Sequence, residues 1–175
     1  SIIVKYLIGD NMSLIEIRDM YKIYNPGENE VRAIDGVNLT IEHGEFVAII
    51  GQSGSGKSTL MNMLGLLDIP TSGKYLLNGK DVEGLTDDEL SEIRNKEIGF
   101  IFQGFNLITS LTAVENVELP LVYRGMKKEE RHELSISALN RVGLSHRLDH
   151  LPKQMSGGQQ QRVAIARAVA ARPPI

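Results

Sequence analysis

The chain has 175 residues, 42% of them hydrophobic and 23% charged, with a formal net charge of -3 and no cysteine. The acidic balance argues against nucleic acid as a partner, because broad nucleic-acid binding leaves a basic footprint, and the lack of cysteine excludes disulfides and thiolate metal sites and suits a reducing compartment. No segment reaches the roughly 20 apolar residues that a membrane span needs.

The first part of the chain predicts strands of two kinds. Apolar residues alternate at 14–17 and again at 37–41, which is typical of strands in a half-exposed sheet. By contrast, FVAII at 46–50 is a continuous apolar run, typical of a strand buried on both faces of a parallel sheet. Residues 1–11 precede this pattern, and we interpret them as an upstream or added segment outside the domain.

A phosphate-binding loop is predicted directly after the third strand. GQSGSGKST at 51–59 fits the P-loop spacing between a strand and a helix, where glycines let backbone N–H groups converge on phosphate oxygens. Lys57 would supply a charge to the β/γ phosphates and the Ser58 hydroxyl would ligate Mg²⁺. The predicted phosphate contacts are Gly51, Gln52, Ser53, Gly54, Ser55, Gly56, Lys57, Ser58 and Thr59.

A surface for a nucleotide base is harder to identify. Tyr24, with Tyr21 as the alternative, precedes the polar turn YNPGENE at 24–30 and could stack on adenine. A lone tyrosine is more often a packing residue, so the residues alone leave both interpretations open.

Three further elements follow the P-loop. Helical spacing runs from Lys57 to Leu67 and is broken by Pro70 and Gly73. Asn78-Gly79 predicts a β-hairpin. TDDE at 86–89 predicts a capping box that opens a charged helix reaching about Lys96.

The middle of the chain, about 104–158, is predicted to be a helical insert. Before it, IGFIF at 98–102 is a second candidate for a buried strand. TAVE at 112–115 predicts a capping box, and the helix that it opens is expected to end at Pro120. From Lys127 to Val142, apolar residues share one face of an amphipathic helix.

A second glycine-led helix start lies late in the chain. Ser156-Gly157-Gly158-Gln159 has the spacing of a capping box, and its glycines leave N–H groups and a hydroxyl facing outward, as in an anion site. A plain helix cap is the alternative that the residues leave open. Because one nucleotide has a single γ-phosphate, two such sites suggest that each chain holds one nucleotide and offers the other site to a partner.

Three motifs in this order and at these separations resemble the ATPase subunit of an ABC transporter. They are GQSGSGKST at 51–59, the glutamine in FQGFNL at 102–107 and MSGGQQQR at 155–162. The stretch at 105–121 most resembles the macrolide-export and lipoprotein-release branch of that family. Met155 stands where the family usually has leucine, an apolar exchange of similar size.

The resemblance implies a fold and a division of the chain. The expected fold is α/β, a P-loop NTPase core with an N-terminal antiparallel β subdomain and a helical insert. Residues 12–175 would form one ATP-binding domain, with the β subdomain and P-loop part of the core at 12–103. The helical subdomain would span 104–158 and the signature helix 159–175.

The resemblance also implies roles for single residues. Tyr24 would stack on adenine, and Gln103 would contact Mg²⁺ or the attacking water. Ser156, Gly157, Gly158 and Gln159 would cap the γ-phosphate of ATP held by the opposite subunit of a head-to-tail homodimer. An integral membrane permease would be the second partner, placing the protein in the cytoplasm at the inner face of the cell membrane.

Hydrolysis needs groups that residues 1–175 do not contain. The family holds Mg²⁺ and polarises water with an Asp-Glu pair at the end of an apolar strand and senses the γ-phosphate with a later histidine, which we expect to belong to a C-terminal part of the core absent from this segment. We therefore expect residues 1–175 alone to be inactive. A nucleotide-dependent dimerisation module without hydrolysis is the alternative function, and a soluble P-loop kinase or GTPase would leave 155–162 unexplained.

Overall fold

A computed structural model describes residues 3–5, 13–27 and 29–175. The chain folds as two units, Ser1–Leu90 and Ser91–Ile175. Within the described residues, no helix combines the length and apolar character that crossing a bilayer requires. Most of the predicted upstream segment 1–11 lies outside the described residues, and the predicted domain boundaries stay predictions.

The first unit is built on antiparallel strands. Its strands are β1 (Ile3–Lys5), β2 (Ser13–Tyr24), β3 (Val31–Glu42), β4 (Ala48–Ile50), β5 (Ser72–Leu77) and β6 (Lys80–Asp81). Four of them form one sheet in the order β3-β2-β5-β6, and β1 pairs with β4 in a second. The predicted N-terminal antiparallel sheet is thus confirmed.

The long central strand β2 explains where the core of this unit lies. Ile17 is opposite Leu39 on β3 and Tyr75 on β5, and all three side chains are buried. Alternation along the strand puts such residues on one face, as the pattern at 14–17 predicts. The hairpin at Asn78-Gly79 is also confirmed, with both residues at positive φ (50° and 75°), as the two-residue loop between β5 and β6 requires.

A strand is present within 46–50, but the prediction that it is buried is wrong. Only Ala48–Ile50 is a strand, and Phe46, Ala48 and Ile50 are exposed. The pairing is antiparallel to β1, with Ile50 opposite Ile3. An apolar run shows that a strand can be buried, but burial also needs covering layers, and none covers this face within the described residues.

One helix completes the first unit. The helix α1 (Lys57–Leu64) ends three residues earlier than the spacing predicts, because Leu66 takes a left-handed backbone conformation (φ 55°). The buried Tyr75 hydroxyl donates to the Leu64 carbonyl (2.8 Å) and so ties the last turn of α1 to β5.

The second unit is helical. Its helices are α2 (Asp87–Glu97), which begins in the first unit, α3 (Ala113–Tyr123), α4 (Lys128–Arg141) and α5 (Gly157–Val169), with one turn of 3₁₀ helix at Pro152–Gln154. A common core is formed by Val117 and Leu121 of α3, Leu139 of α4 and Val163 of α5. The predicted apolar face of α4 is therefore confirmed.

The predicted helix starts are confirmed, but the predicted end of α3 is wrong, as is that of α1. In the capping box of α3, Thr112 accepts from the Glu115 amide and the Glu115 carboxylate accepts from the Thr112 amide. The same exchange joins Thr86 and Glu89 at the start of α2. Pro120 does not end α3, which continues to Tyr123, because a proline near the end of a helix removes a single intrahelical hydrogen bond.

The predicted strand at 98–102 is also wrong, because this stretch is irregular. Ile175 donates to the Glu97 carbonyl (3.1 Å) and accepts from the Gly99 amide (2.8 Å), which is the hydrogen-bond pattern of one parallel pair. A single pair does not make a strand. The Phe100 and Phe102 rings stack instead, with centroids 5.2 Å apart.

A fully buried asparagine organises the loop before α3. The Asn116 carbonyl oxygen accepts from the Ile108 amide (2.8 Å), and its amide donates to the carbonyls of Ile108 (3.1 Å) and Leu111 (3.0 Å). These backbone groups would otherwise be buried without partners. Asn116 therefore fixes the 108–112 loop that leads into the capping box.

We predict that Asn116→Ala destabilises the full-length protein by about 2–4 kcal/mol, because it leaves several buried backbone groups without partners. The midpoint of urea unfolding measures the loss. The exposed Asn140 of α4 provides the control, since Asn140→Ala should change stability by less than about 0.5 kcal/mol. Equal effects of the two substitutions would contradict the role of Asn116.

Candidate functional site

The P-loop occupies the connection between β4 and α1. Gly56 caps α1 in a left-handed conformation (φ 86°), and no side chain caps the helix. A Cβ at Gly56 would lie 2.3 Å from the carbonyl oxygen of Ala33 on β3, so only glycine fits there. The first N–H groups of α1 are thereby left available to an anion.

Lys57 places a positive charge at this helix start. Its ammonium donates to the carbonyls of Gly51 (2.9 Å) and Gln52 (2.5 Å), so the side chain folds back over the loop. Ser58, the predicted Mg²⁺ ligand, is exposed one position further along α1. The loop, its lysine and its serine thus lie together, as a phosphate site requires.

Tyr24, the predicted adenine contact, lies in the same unit at the end of β2. Its hydroxyl donates to Asp68 Oδ2 (2.8 Å), and its side chain is 39% exposed. The hydrogen bond to Asp68 raises the pKa of Tyr24, while a hydrogen bond with the Thr59 side chain of the P-loop lowers it. Tyr24 is therefore a partly exposed ring, held at its hydroxyl by Asp68, in the same unit as the P-loop.

The second predicted anion site lies in the second unit, at the start of α5. Ser156 accepts from the Gln159 amide (3.3 Å), and Gln159 Oε1 accepts from the Ser156 amide (2.9 Å), so the capping box is formed. Ser156, Gly157 and Gly158 are all exposed, whereas Met155 is buried beneath them. The helix start is therefore capped by a neutral box and open to solvent.

Gln103 also lies in the second unit, exposed in a turn. After Gly104, Phe105 and Asn106 have left-handed backbones (φ 63° and 47°), which is unusual for residues other than glycine. The half-buried Arg167 of α5 donates to both of their carbonyls (2.7 Å each). Burial lowers the pKa of Arg167, and its two hydrogen bonds hold the loop that follows Gln103.

Two residues of these arrangements were not predicted from the sequence: Asp68 and Arg167. Asp68 lies 44 residues from Tyr24 along the chain, and Arg167 lies 61 residues from Asn106. No local spacing signals such long-range contacts. Only the positive charge of Arg167 within an otherwise apolar helix face could have drawn attention to it.

The described residues contain no group of three or more His, Cys, Asp or Glu side chains arranged to hold a metal ion. Ser58 and Gln103, the two predicted Mg²⁺ contacts, are exposed and lie in different units. A P-loop serine binds Mg²⁺ together with the nucleotide's phosphates, so Ser58 fits that role, and the role of Gln103 stays a prediction.

Comparison with known proteins agrees with these motifs. The family model described as "ABC transporter" matches residues 34–175. The macrolide export ATP-binding/permease protein MacB of Hyphomonas neptunium is 56% identical over 156 residues, which are 89% of this chain and 24% of that protein. An uncharacterized ABC transporter ATP-binding protein of Thermotoga maritima is 52% identical over 91% of this chain and 68% of its own length.

Solved structures show the same fold. The ATP-binding cassette MJ0796, in a dimeric post-hydrolysis state bound to ADP and Pi, is 48% identical with a TM-score of 0.84. The match covers 91% of this chain and 70% of the cassette. The chain therefore spans about two thirds of the length of the cassette and of the Thermotoga maritima protein, and about a quarter of the length of the MacB protein. The chain belongs to the ABC transporter family, as an ATP-binding domain with the fold of the ABC ATPase cassettes.

Proposed function

We propose that this domain binds Mg²⁺-ATP at the P-loop, dimerises head-to-tail around it and couples its hydrolysis to a membrane permease. The observation that carries the proposal is the charge at the helix starts. Among the α-helices of the described residues, α2, α3 and α4 have acidic residues in the first turn, whereas α1 and α5 have none. Acidic residues already satisfy a helix N-terminus, so α1 and α5 are the starts left for an external anion.

The first site would hold the nucleotide within one subunit. Backbone N–H groups of residues 51–59 and the Lys57 ammonium would bind the phosphates, and Ser58 would ligate Mg²⁺ between them. Tyr24, 39% exposed and bonded through its hydroxyl to Asp68, would stack on the adenine. When bound, Mg²⁺ neutralises charge on the β and γ phosphates.

The second site would act on the nucleotide of the partner subunit. Ser156, Gly157 and Gly158 are exposed, and their hydroxyl and N–H groups would be donors at a helix start that has no acidic residue in its first turn. The dimeric state of the MJ0796 cassette supports an assembly of two such domains. Gln103 would contact Mg²⁺ or the attacking water from the loop that Arg167 holds.

We propose a membrane permease as partner and the cell membrane as location, and the names of the relatives support both. MacB proteins are described as ATP-binding/permease proteins, and this chain matches 24% of their length. We propose a permease of the export or lipoprotein-release type, which would hold the domain at the inner face of the cell membrane. Because this chain matches only 24% of the length of those relatives, hydrolysis is proposed for the full-length protein.

Lys57→Ala tests the nucleotide site in the full-length protein. We expect ATP to bind about 10- to 100-fold more weakly, because a charge-assisted hydrogen bond of about 1.5–3 kcal/mol is lost, and ATP turnover to stop. Titration of a fluorescent ATP analogue and phosphate release measure the two effects. The exposed Lys80 of β6 offers the control, and Lys80→Ala should leave both unchanged.

The same assays separate the two proposed classes of function. If the unsubstituted protein dimerises with ATP but releases no phosphate, it is a dimerisation module without hydrolysis. Unchanged ATP affinity in Lys57→Ala would contradict the nucleotide site itself.

Mixing two defective variants tests the head-to-tail arrangement. Ser156→Asp keeps a good helix cap but places a negative charge where the γ-phosphate would lie. Homodimers of Lys57→Ala or of Ser156→Asp carry a defect in both sites, whereas a mixed dimer carries both defects in one site and leaves the other intact. We therefore expect ATP turnover of the mixture to exceed the sum of the separate variants.

The alternative arrangement predicts a different result. If Ser156 acted on the nucleotide of its own subunit, each subunit of a mixed dimer would remain defective. Turnover of the mixture would then equal the sum of its parts. Light scattering with ATP establishes that mixed dimers form under the assay conditions.

A further inference from the structure

The phenol of Tyr24 belongs to a small ionic cluster in the first unit. Asp68 Oδ2 accepts from the Tyr24 hydroxyl (2.8 Å), and Asp68 Oδ1 accepts from the Lys22 ammonium (2.6 Å). Lys22 also donates to the Ile69 carbonyl (2.7 Å), while the Ile69 amide donates back to Asp68 Oδ1 (2.8 Å). Both carboxylate oxygens are therefore engaged.

The arrangement follows from the fold. Lys22 and Tyr24 are two residues apart on β2, so their side chains leave the same face of the strand. Asp68 comes from the turn that follows α1, the helix that begins with Lys57. The cluster thus joins the tyrosine strand to the helix that carries the P-loop lysine.

These contacts fix the tyrosine ring at both ends. Its backbone is held where Tyr24 pairs with Val31 of β3, and its hydroxyl is held by Asp68. The Lys22 ammonium lies over the ring, 5.1 Å from the centroid. With one face next to Lys22 and 39% of the side chain exposed, the ring is left to receive a planar group on its other face.

The electrostatics of the cluster agree with this geometry. Burial acts to raise the pKa of Asp68, but hydrogen bonds from Lys22, Tyr24 and the Ile69 amide lower it below the usual value. The hydrogen bond to Asp68 raises the pKa of Tyr24. Asp68 is therefore ionised and Tyr24 is a neutral donor at neutral pH, which is the state that the bond needs.

We propose that Asp68, supported by Lys22, is a positioning residue that sets the Tyr24 ring for stacking on the purine base of the nucleotide. This rests on the proposed nucleotide site. A ring free to rotate at the protein surface must be ordered when the base binds, whereas a ring already held by its hydroxyl loses no such freedom. Asp68 should therefore affect base recognition and leave phosphate binding unchanged.

The test compares Mg²⁺-ADP with Mg²⁺-pyrophosphate, which has no base, as ligands of the full-length protein in titration calorimetry. Tyr24→Ala should weaken ADP binding by about 5- to 100-fold, as expected for loss of base stacking. Asp68→Ala should weaken it by about 2- to 10-fold, in the range of one misplaced aromatic contact. Neither substitution should change pyrophosphate binding.

A double-mutant cycle separates positioning from a general structural role. In Tyr24→Phe the hydroxyl is absent, so adding Asp68→Ala should weaken ADP binding little further. Asp68→Asn keeps an oxygen that can accept from the phenol and should retain part of the affinity. Asp81 of β6 provides the control, because its carboxylate forms an ion pair with Lys74 of β5 (3.4 Å) away from Tyr24 in the sequence. Asp81→Ala should leave ADP binding unchanged.

The outcomes distinguish this inference from the proposal on which it rests. If Tyr24→Ala leaves ADP affinity unchanged, the proposed base contact fails, and the positioning role fails with it. If Tyr24→Ala weakens ADP binding but Asp68→Ala does not, only the positioning role is overturned. An equal loss for ADP and pyrophosphate in Asp68→Ala, or an undiminished loss in the Tyr24→Phe background, would also overturn it.

Discussion

The candidate site depends on one backbone constraint, the left-handed Gly56 packed against the carbonyl oxygen of Ala33. A side chain at this position would lie 2.3 Å from that oxygen, so the chain can enter α1 in this conformation only with glycine. Because the cap is a glycine, no side chain occupies the helix start, and Lys57 follows at once in the first turn. The constraint that builds the loop is therefore also what keeps it open.

The glycine-led starts of α1 and α5 differ in charge from the starts of α2 and α3. At α2 and α3, Glu89 and Glu115 accept hydrogen bonds from the backbone amide and then the hydroxyl of their capping threonines, which lowers the pKa of both carboxyls. A carboxylate of the chain itself therefore already balances the positive end of each of these two helix dipoles. At α5 the same box is formed with Gln159, which satisfies the amide geometry without adding charge. The capping box of α5 therefore differs from the boxes of α2 and α3 in charge and not in its hydrogen bonds.

Local signals in the sequence predicted how elements begin and turn better than where they end or whether they are buried. The capping boxes, the Asn78-Gly79 hairpin and the P-loop each depend on residues close together in the chain, so their spacing predicts them, whereas Pro120 did not end α3. The stretches 46–50 and 98–102 required neighbours from elsewhere in the chain to become buried strands, and an apolar run does not specify such neighbours. The contacts of Asp68 and Arg167 were unpredictable for the same reason, since each joins segments more than 40 residues apart.

Arg167 joins two segments of the second unit that the motifs alone do not connect. It lies on α5, the helix that starts at Gly157, and its hydrogen bonds hold Phe105 and Asn106 in left-handed conformations just after Gln103. Such backbones cost about 1–2 kcal/mol each and persist only where other contacts impose them. A half-buried guanidinium would in turn lose partners if the loop relaxed. Arg167 therefore ties α5, the helix capped by Ser156, to the loop that follows Gln103 through the two carbonyls that it binds.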